Sequence, residues 1–134
     1  MNINSKVRYI SAGLLIKDRK VLVALRKEKL WEFPGGKLES DENNESALIR
    51  EFQEEMSIAV KPVEEVASVE IDNNDNSVDI FIFILVTGDP AGIQLKVHSE
   101  YKFVSIDELR NLELCVPDKI LINDNVEALK KYID

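Results

Sequence analysis

Three glutamates, Glu51, Glu54 and Glu55, crowd one short stretch that holds a single basic residue, Arg50, and a Gly35-Gly36 pair lies upstream of it. Read as a helix from Ser46 to Met56, the stretch places Leu48, Phe52, Met56 and Ile49 within about 100° of one another, a core stripe. With Leu48 at zero, Glu55, Glu51 and Glu54 fall at about −20°, −60° and −120°. Three carboxylates thus share one arc that borders the core. Glutamates on a helix are ordinarily a solvated face. Here the arc adjoins apolar residues, and Arg50 alone cannot neutralise three like charges that repel at these spacings. A hard divalent cation such as Mg²⁺, which takes oxygen ligands and binds phosphate oxygens as well, would resolve the repulsion. The glycine pair would let backbone groups approach such a site closely, because glycine has no side chain.

The surrounding chain supplies elements to hold that helix. Val7–Ile16 and Lys20–Arg26 read as strands joined at Asp18-Arg19, a hairpin. Trp31–Phe33 reads as a strand that stops at Pro34, so a loop is expected at Pro34-Gly35-Gly36. Asp41–Asn44 offers cap chemistry for the acidic helix. Val63–Ile71 reads as extended. Ser77–Thr87 is a strand with Val78, Ile80, Ile82 and Ile84 on one face and Asp79, Phe81, Phe83 and Leu85 on the other. Gly88–Gly92 is a loop and Tyr101–Val104 a short strand. Ser105 or Asp107 can cap a short helix through Leu112, and Ile120–Tyr132 reads as a C-terminal helix. Strands and helices intermix without a regular βαβ rhythm, which predicts a mixed α/β sandwich with helices covering the sheet faces.

Length and composition bound the function. The 134 residues suit a single domain, 1–134, with one real core. The 25 acidic and 17 basic residues give a net charge of −8, which disfavours non-specific binding to nucleic-acid backbone. A small polyphosphate remains accessible if cations bridge the two. One cysteine, Cys115, excludes an internal disulfide and a cysteine-based zinc cluster, and one histidine, His98, excludes a site with two histidine ligands. Met1–Lys17 lacks the pattern of a signal peptide. The longest apolar run, Ile80–Val86, is far shorter than the roughly 20 residues of a membrane helix. A soluble cytoplasmic protein is the expectation.

The spacing Gly36, five residues, Glu42, seven residues, then Arg50-Glu51-Phe52-Gln53-Glu54-Glu55-Met56-Ser57-Ile58 resembles the Nudix box. Every specified position matches except the last glycine, which is Ser57. The likeness continues beyond the box. Trp31–Gly36 resembles the strand leading into it, Phe103–Leu109 resembles the family's aromatic-Val-Ser-x-x-Glu-Leu segment, and Val116-Pro117-Asp118 resembles the segment before the last helix of MutT-type members.

The resemblance implies a Nudix α/β/α sandwich with a mixed sheet and a loop-helix-loop catalytic motif. It implies Mg²⁺- or Mn²⁺-dependent hydrolysis of a nucleoside diphosphate linked to another group. For MutT-type members that means attack of water on the β-phosphorus of a nucleoside triphosphate, giving the monophosphate and pyrophosphate, with oxidised nucleotides such as 8-oxo-dGTP among the substrates. Carried over by position, Glu51, Glu54 and Glu55 are metal carboxylates, with Glu54 the one most expected to be essential. Gly35 offers its carbonyl to the metal, Arg50 holds the glutamates, and Glu42 with Gly36 supports the motif. Lys37 lies near the phosphates or is a solvated loop cation. Relatives often place a further glutamate before the aromatic-Val-Ser segment; Val97 stands at one such place here, leaving Glu100 and His98 as candidates against a reading as solvated loop residues.

The base end is open to two readings throughout. Asp118 resembles the residue that reads the base edge, and Asp before Lys-Ile is equally an N-cap. Arg26 contacts nucleotide or phosphate, or is a surface cation. Phe81 and Phe83 line the base pocket or belong to the core. Cys115 reads as a buried small hydrophobe. A left-handed residue at the helix end would cost Ser57 about 1 kcal/mol relative to glycine. The same chemistry on CTP, dCTP or ADP-ribose, and a Nudix-fold module that senses a nucleotide without turnover, are the alternatives. The partner in each is a small nucleotide, with neither nucleic-acid polymer nor membrane.

Overall fold

In a computed structural model the chain is described over residues 6–134, so the first five residues of the Met1–Lys17 stretch lie outside the description. In chain order the elements are β1 (Lys6–Lys17), β2 (Lys20–Leu25), β3 (Trp31–Glu32), β4 (Gly35–Lys37), α1 (Asn44–Met56), β5 (Val60–Asp72), β6 (Ser77–Gly88), β7 (Glu100–Val104), α2 (Ile106–Asn111) and α3 (Val116–Asn125). Asp18 and Arg19 both take positive φ, 52° and 60°, the backbone of a two-residue turn whose twist matches the strands it joins. That turn sets the β1–β2 register at Ile16↔Val21 and Lys17↔Lys20.

The sheet is mixed, in the order β3-β2-β1-β6-β5, with β4 added on β1 and β7 on β2. β1 and β6 run parallel over ten rungs, from Lys6↔Ser77 to Leu15↔Val86. Alternation along these central strands divides the core. On one face Leu15, Ile82 and Ile84 pack against Leu48, Phe52 and Met56 of α1. On the other, Leu14 and Phe83 pack with Leu109 of α2 and Leu121 and Ile122 of α3. The result is a helix–sheet–helix sandwich, as the sequence leads one to expect.

Several local expectations are corrected. Gly35–Lys37 is not loop: it forms β4, antiparallel to β1 through Ala12↔Gly35, Ser11↔Gly36 and Ile10↔Lys37. β5 starts ahead of Pro62, which an edge strand tolerates, and the ladder to β6 shifts register just there. The last helix begins at Val116 with Pro117 in its first turn, where no amide bond is lost, and ends at Asn125 before a 3₁₀ turn at Val126–Ala128. The expected helix to Tyr132 is therefore two shorter pieces. Ile49 is 42% exposed, outside the core stripe. The buried arc of α1 is rotated the other way, toward Ala47 and Glu55.

Both ends of α1 are capped by short-range chemistry. Asn43 Oδ1 accepts from the Ser46 amide at 2.8 Å, and Ser46 Oγ accepts from the Asn43 amide at 3.0 Å, a reciprocal capping box. At the other end Ser57 has φ 59° and ψ 30°, left-handed as the lost glycine implies, and its amide donates to the Gln53 carbonyl at 3.1 Å. Ser57→Gly is expected to be neutral or to stabilise by up to about 1 kcal/mol, the cost of the Cβ there less glycine's extra chain entropy. Paired urea melts check this. A loss above about 1 kcal/mol would show that the serine side chain makes a needed bond.

Candidate active site

β4 brings the acidic helix to the sheet. Gly35 has φ +156°, and a Cβ there would fall on the Ser11 carbonyl oxygen, with Ser11 C and Ala12 Cα both within 2.9 Å. A Cβ on Gly36 would lie 2.6 Å from Glu51 Cδ, so the Glu51 carboxylate rests directly on that glycine. Gly35 is required by the close approach of backbone, whereas at Gly36 the neighbour is the end of the flexible Glu51 side chain.

Arg50 organises the acids. Its guanidinium grips Glu42 with two bonds, Nε to Oε2 at 2.7 Å and Nη2 to Oε1 at 3.0 Å. Nη1 donates to Glu51 Oε1 at 2.7 Å and Glu54 Oε2 at 3.2 Å, and Nη2 also reaches the Lys37 carbonyl at 3.0 Å. The fork geometry of arginine makes this possible; a lysine ammonium could not bridge the same set. Glu42 also accepts from the Glu39 amide at 2.7 Å. The bond from Arg50, then that amide, hold its carboxyl below the usual range.

Glu55 differs from its neighbours. It is 6% exposed, and its Oε1 is buried with no hydrogen-bond partner. Burial first, then the adjacent Glu51 carboxyl and Glu32, push its pKa up to about 10, offset in part by the Gly35 amide. An acid held against its ordinary ionisation beside other acids is what a bound cation would relieve. The donor set, carboxylate and carbonyl oxygens, suits Mg²⁺ or Mn²⁺. Among the described residues no three acidic, thiol or imidazole side chains converge as a ready cage. Two of the glutamates, Glu51 and Glu54, instead point their carboxylates at Arg50. The residues fit the ion, with side-chain reorientation at Glu51 and Glu54.

From Glu55 a cavity of about 590 Å³ runs along the sheet. Its lining includes the acids Glu28, Glu32, Glu55, Asp79 and Asp118 and the bases Arg26, Lys27 and Lys37. Arg26, Lys27 and Lys37 are the cations a polyphosphate would meet there. The far end is built by β3. The Trp31 amide donates to the Glu113 carbonyl at 2.8 Å and the Cys115 amide to the Trp31 carbonyl at 2.9 Å, which draws the start of α3 onto β3. Asp118 is thereby buried at 3% exposure. Burial first, then the Glu32 charge, raise its pKa well above the ordinary value, opposed by the Phe33 amide and Arg26. Burial, Glu32 and Asp118 push the Cys115 thiol up to about 11.

That arrangement has a pH signature. Asp118 binds its proton more tightly folded than unfolded, so its contribution to stability is full below about pH 3.9 and declines as pH rises above it. Asp118→Asn, which cannot ionise, is expected to raise the melting temperature at pH 7 and to give a smaller gain at pH 4. Calorimetric scans at the two pH values check it; a gain that grows toward acid would contradict the assignment.

Arg26, Lys37, Gly35, Gly36, Glu55, Phe81 and Asp118 all line the cavity. Glu51 adjoins it through Gly36, whereas the Glu54 side chain is 57% exposed and faces Arg50. Two candidates lie elsewhere. Phe83 is fully buried, edge-on to Phe33 at 6.0 Å between ring centres, whereas Phe81, two residues earlier on the same face, is half-buried and lines the cavity. Glu100 opens β7, is exposed and does not line the cavity. His98 is buried, not solvated, with Nε2 2.8 Å from Glu32 Oε2. The N-cap of α3 is Cys115, and Asp118 lies three residues further in, so it does not cap the helix. Cys115 is buried, but among polar neighbours: Sγ is 3.9 Å from Glu32 Oε1 and 4.0 Å from Arg26 Nη1. Glu32 itself escaped the sequence reading. Between Trp31 and Phe33 it looks like the outward residue of a short strand, and only the packing of β7 and α3 shows that outward means into the cavity.

A family model described as "NUDIX domain" matches residues 7–124. An 8-oxo-dGTP diphosphatase of Proteus vulgaris is 38% identical over 88 residues, 61% of this chain and 79% of that protein. A CTP pyrophosphohydrolase of Escherichia coli (strain K12) is 41% identical over 68 residues, 47% of this chain and 50% of that protein. Among solved structures, the E. coli ORF135 protein superposes with a TM-score of 0.84 at 28% identity, covering 97% of this chain and 95% of that one.

Proposed function

The chain is an enzyme of the NUDIX domain family, and on that premise we propose that it hydrolyses nucleoside triphosphates to the monophosphate and pyrophosphate with Mg²⁺, or Mn²⁺ in its place. The observation that carries this reading is the buried, unpartnered Glu55 oxygen beside Glu51, at the end of a cavity that also holds Arg26, Lys27 and Lys37. Such a pair has little structural purpose without a cation. When bound, the cation would supply acidification of water and neutralisation of phosphate oxygens.

The chain's own groups divide the remaining work. Glu51, Glu54 and Glu55, with the Gly35 carbonyl, would hold the ion, and Arg50 fixes the geometry of Glu51 and Glu54. Glu42 anchors Arg50 by a two-point bond. Lys37 and Arg26 lie in the cavity where phosphate charge needs cations. Phe81 offers a ring face and Asp118 a buried polar group for the base. The whole chain, 1–134, serves as one catalytic domain in the cytoplasm; among the described residues no helix is long and apolar enough to cross a membrane.

For the base we place 8-oxo-dGTP first, as in the Proteus vulgaris relative, and CTP second, as in the E. coli relative. A panel of nucleoside triphosphates, 8-oxo-dGTP and ADP-ribose with and without Mg²⁺, scored for both products, tests the reading. Pyrophosphate with the monophosphate is expected from the triphosphates only with the metal. Turnover of ADP-ribose alone would replace this substrate class.

A further inference from the structure

His98 has no part in the chemistry above, yet it is held as a working residue would be. Its side chain is 1% exposed, and its Nε2 lies 2.8 Å from Glu32 Oε2. A carboxylate oxygen accepts, so Nε2 carries the proton. Nδ1 is buried without a partner, as befits the bare nitrogen of that tautomer. Glu32 is 22% exposed at its side chain and lines the cavity. Its other oxygen is poorly satisfied. Arg26 spends its short bond on Glu28 at 2.7 Å and stands 3.6 Å from Glu32 Oε1, and the Cys115 thiol, a weak donor, is 3.9 Å away. One carboxylate oxygen is thus fixed by a buried imidazole, and the other is offered to the cavity.

We propose that His98 is a positioning residue that fixes Glu32 as the acceptor for an exocyclic amino group of the nucleobase. The inference rests on the nucleotide reading of the cavity and names what its base end selects. Bases that present an amino group donate to Glu32 Oε1; bases with hydrogen or a carbonyl at that place leave the oxygen unpaired or repelled, and are bound less well. A carboxylate acceptor makes a strong hydrogen bond to an amine.

Binding of nucleoside monophosphates measured by calorimetry tests this without requiring turnover, so a failure of the hydrolysis reading is seen separately. The pairs are GMP with IMP and CMP with UMP, each differing by an amino group. The wild type is expected to prefer the amino member of at least one pair by about tenfold or more. His98→Leu should bring that ratio to within about twofold by weakening the amino member, and His98→Gln, whose amide can donate from nearly the same place, should restore most of it. Glu32→Gln should abolish the preference in the pair that the wild type discriminates, and reverse it where that pair is CMP and UMP, because His98 would claim the new amide oxygen and turn its NH₂ to the ligand. His98 is the only histidine of the chain, so nitrogen-15 spectra report its tautomer directly, and Nε2–H is expected even if the leucine variant fails to fold. Equal binding within both wild-type pairs, an unchanged ratio in a folded His98→Leu, a preference that survives in Glu32→Gln, or a proton on Nδ1 would each overturn the proposal.

Discussion

Glu54→Gln is expected to lower kcat on nucleoside triphosphates by at least about 10³-fold, a barrier increase of roughly 4 kcal/mol, with the melting temperature unchanged. The two halves of this expectation come from different observations. The Glu54 side chain is 57% exposed and pairs with Arg50 at 3.2 Å. An exposed pair of that kind contributes little to stability. Arg50 keeps its stronger bonds to Glu42 and Glu51 at 2.7 Å each, so the scaffold stands without Glu54. The rate depends on it because the amide keeps the size but loses the charge that a Mg²⁺ ligand needs. Steady-state rates with Mg²⁺, beside a thermal melt, check both halves. Turnover within about tenfold of wild type would remove Glu54 from the metal site.

Gly35→Ala is expected to destabilise the fold by about 3 kcal/mol or more. Two penalties combine. The residue has φ +156°, which a Cβ disfavours, and that Cβ would meet backbone atoms of Ser11 and Ala12, on the strand at the centre of the sheet. A flexible side chain could move aside; a central strand paired with β4 and β6 cannot. The same substitution shifts the carbonyl assigned to the metal, so residual folded protein should also be slow. Urea denaturation gives the first effect. A loss below about 1 kcal/mol would mean that β4 peels from β1 at little cost.

What was legible in the sequence follows from how local its cause is. Helix α1 and a cap within Asp41–Asn44 are set by neighbours within four residues, and residue types alone point to them, whereas the left-handed Ser57 was expected only because the resemblance puts a glycine there. The strands with clear alternation, β1 and β6, were equally readable. β4 was not, because two glycines and a lysine carry no strand signal; only the shape of the facing β1 backbone makes them one. The division of Phe81 from Phe83 also needs tertiary information. Both lie on one face of β6, and only the folded chain shows that Phe83 meets Phe33 in the core while Phe81 reaches the cavity. Glu32 and His98 sit 66 residues apart and meet only through the β2–β7 and β2–β3 pairings, so neither advertises the other. The acidic arc gave the chemistry. The base end, assembled from β3, the segment before β7 and the start of α3, required the fold.

The central claim, that this cavity splits a nucleoside triphosphate by water attack on the β-phosphorus, is tested most directly by one reaction in heavy-oxygen water. The protein is incubated with Mg²⁺ and either 8-oxo-dGTP or CTP, and the products are weighed by mass spectrometry. The expected products are the nucleoside monophosphate and pyrophosphate, with the heavy oxygen in the pyrophosphate and none in the monophosphate. Formation of nucleoside diphosphate and orthophosphate, the label in the monophosphate, or no turnover of either nucleotide with Mg²⁺ or Mn²⁺ would contradict it.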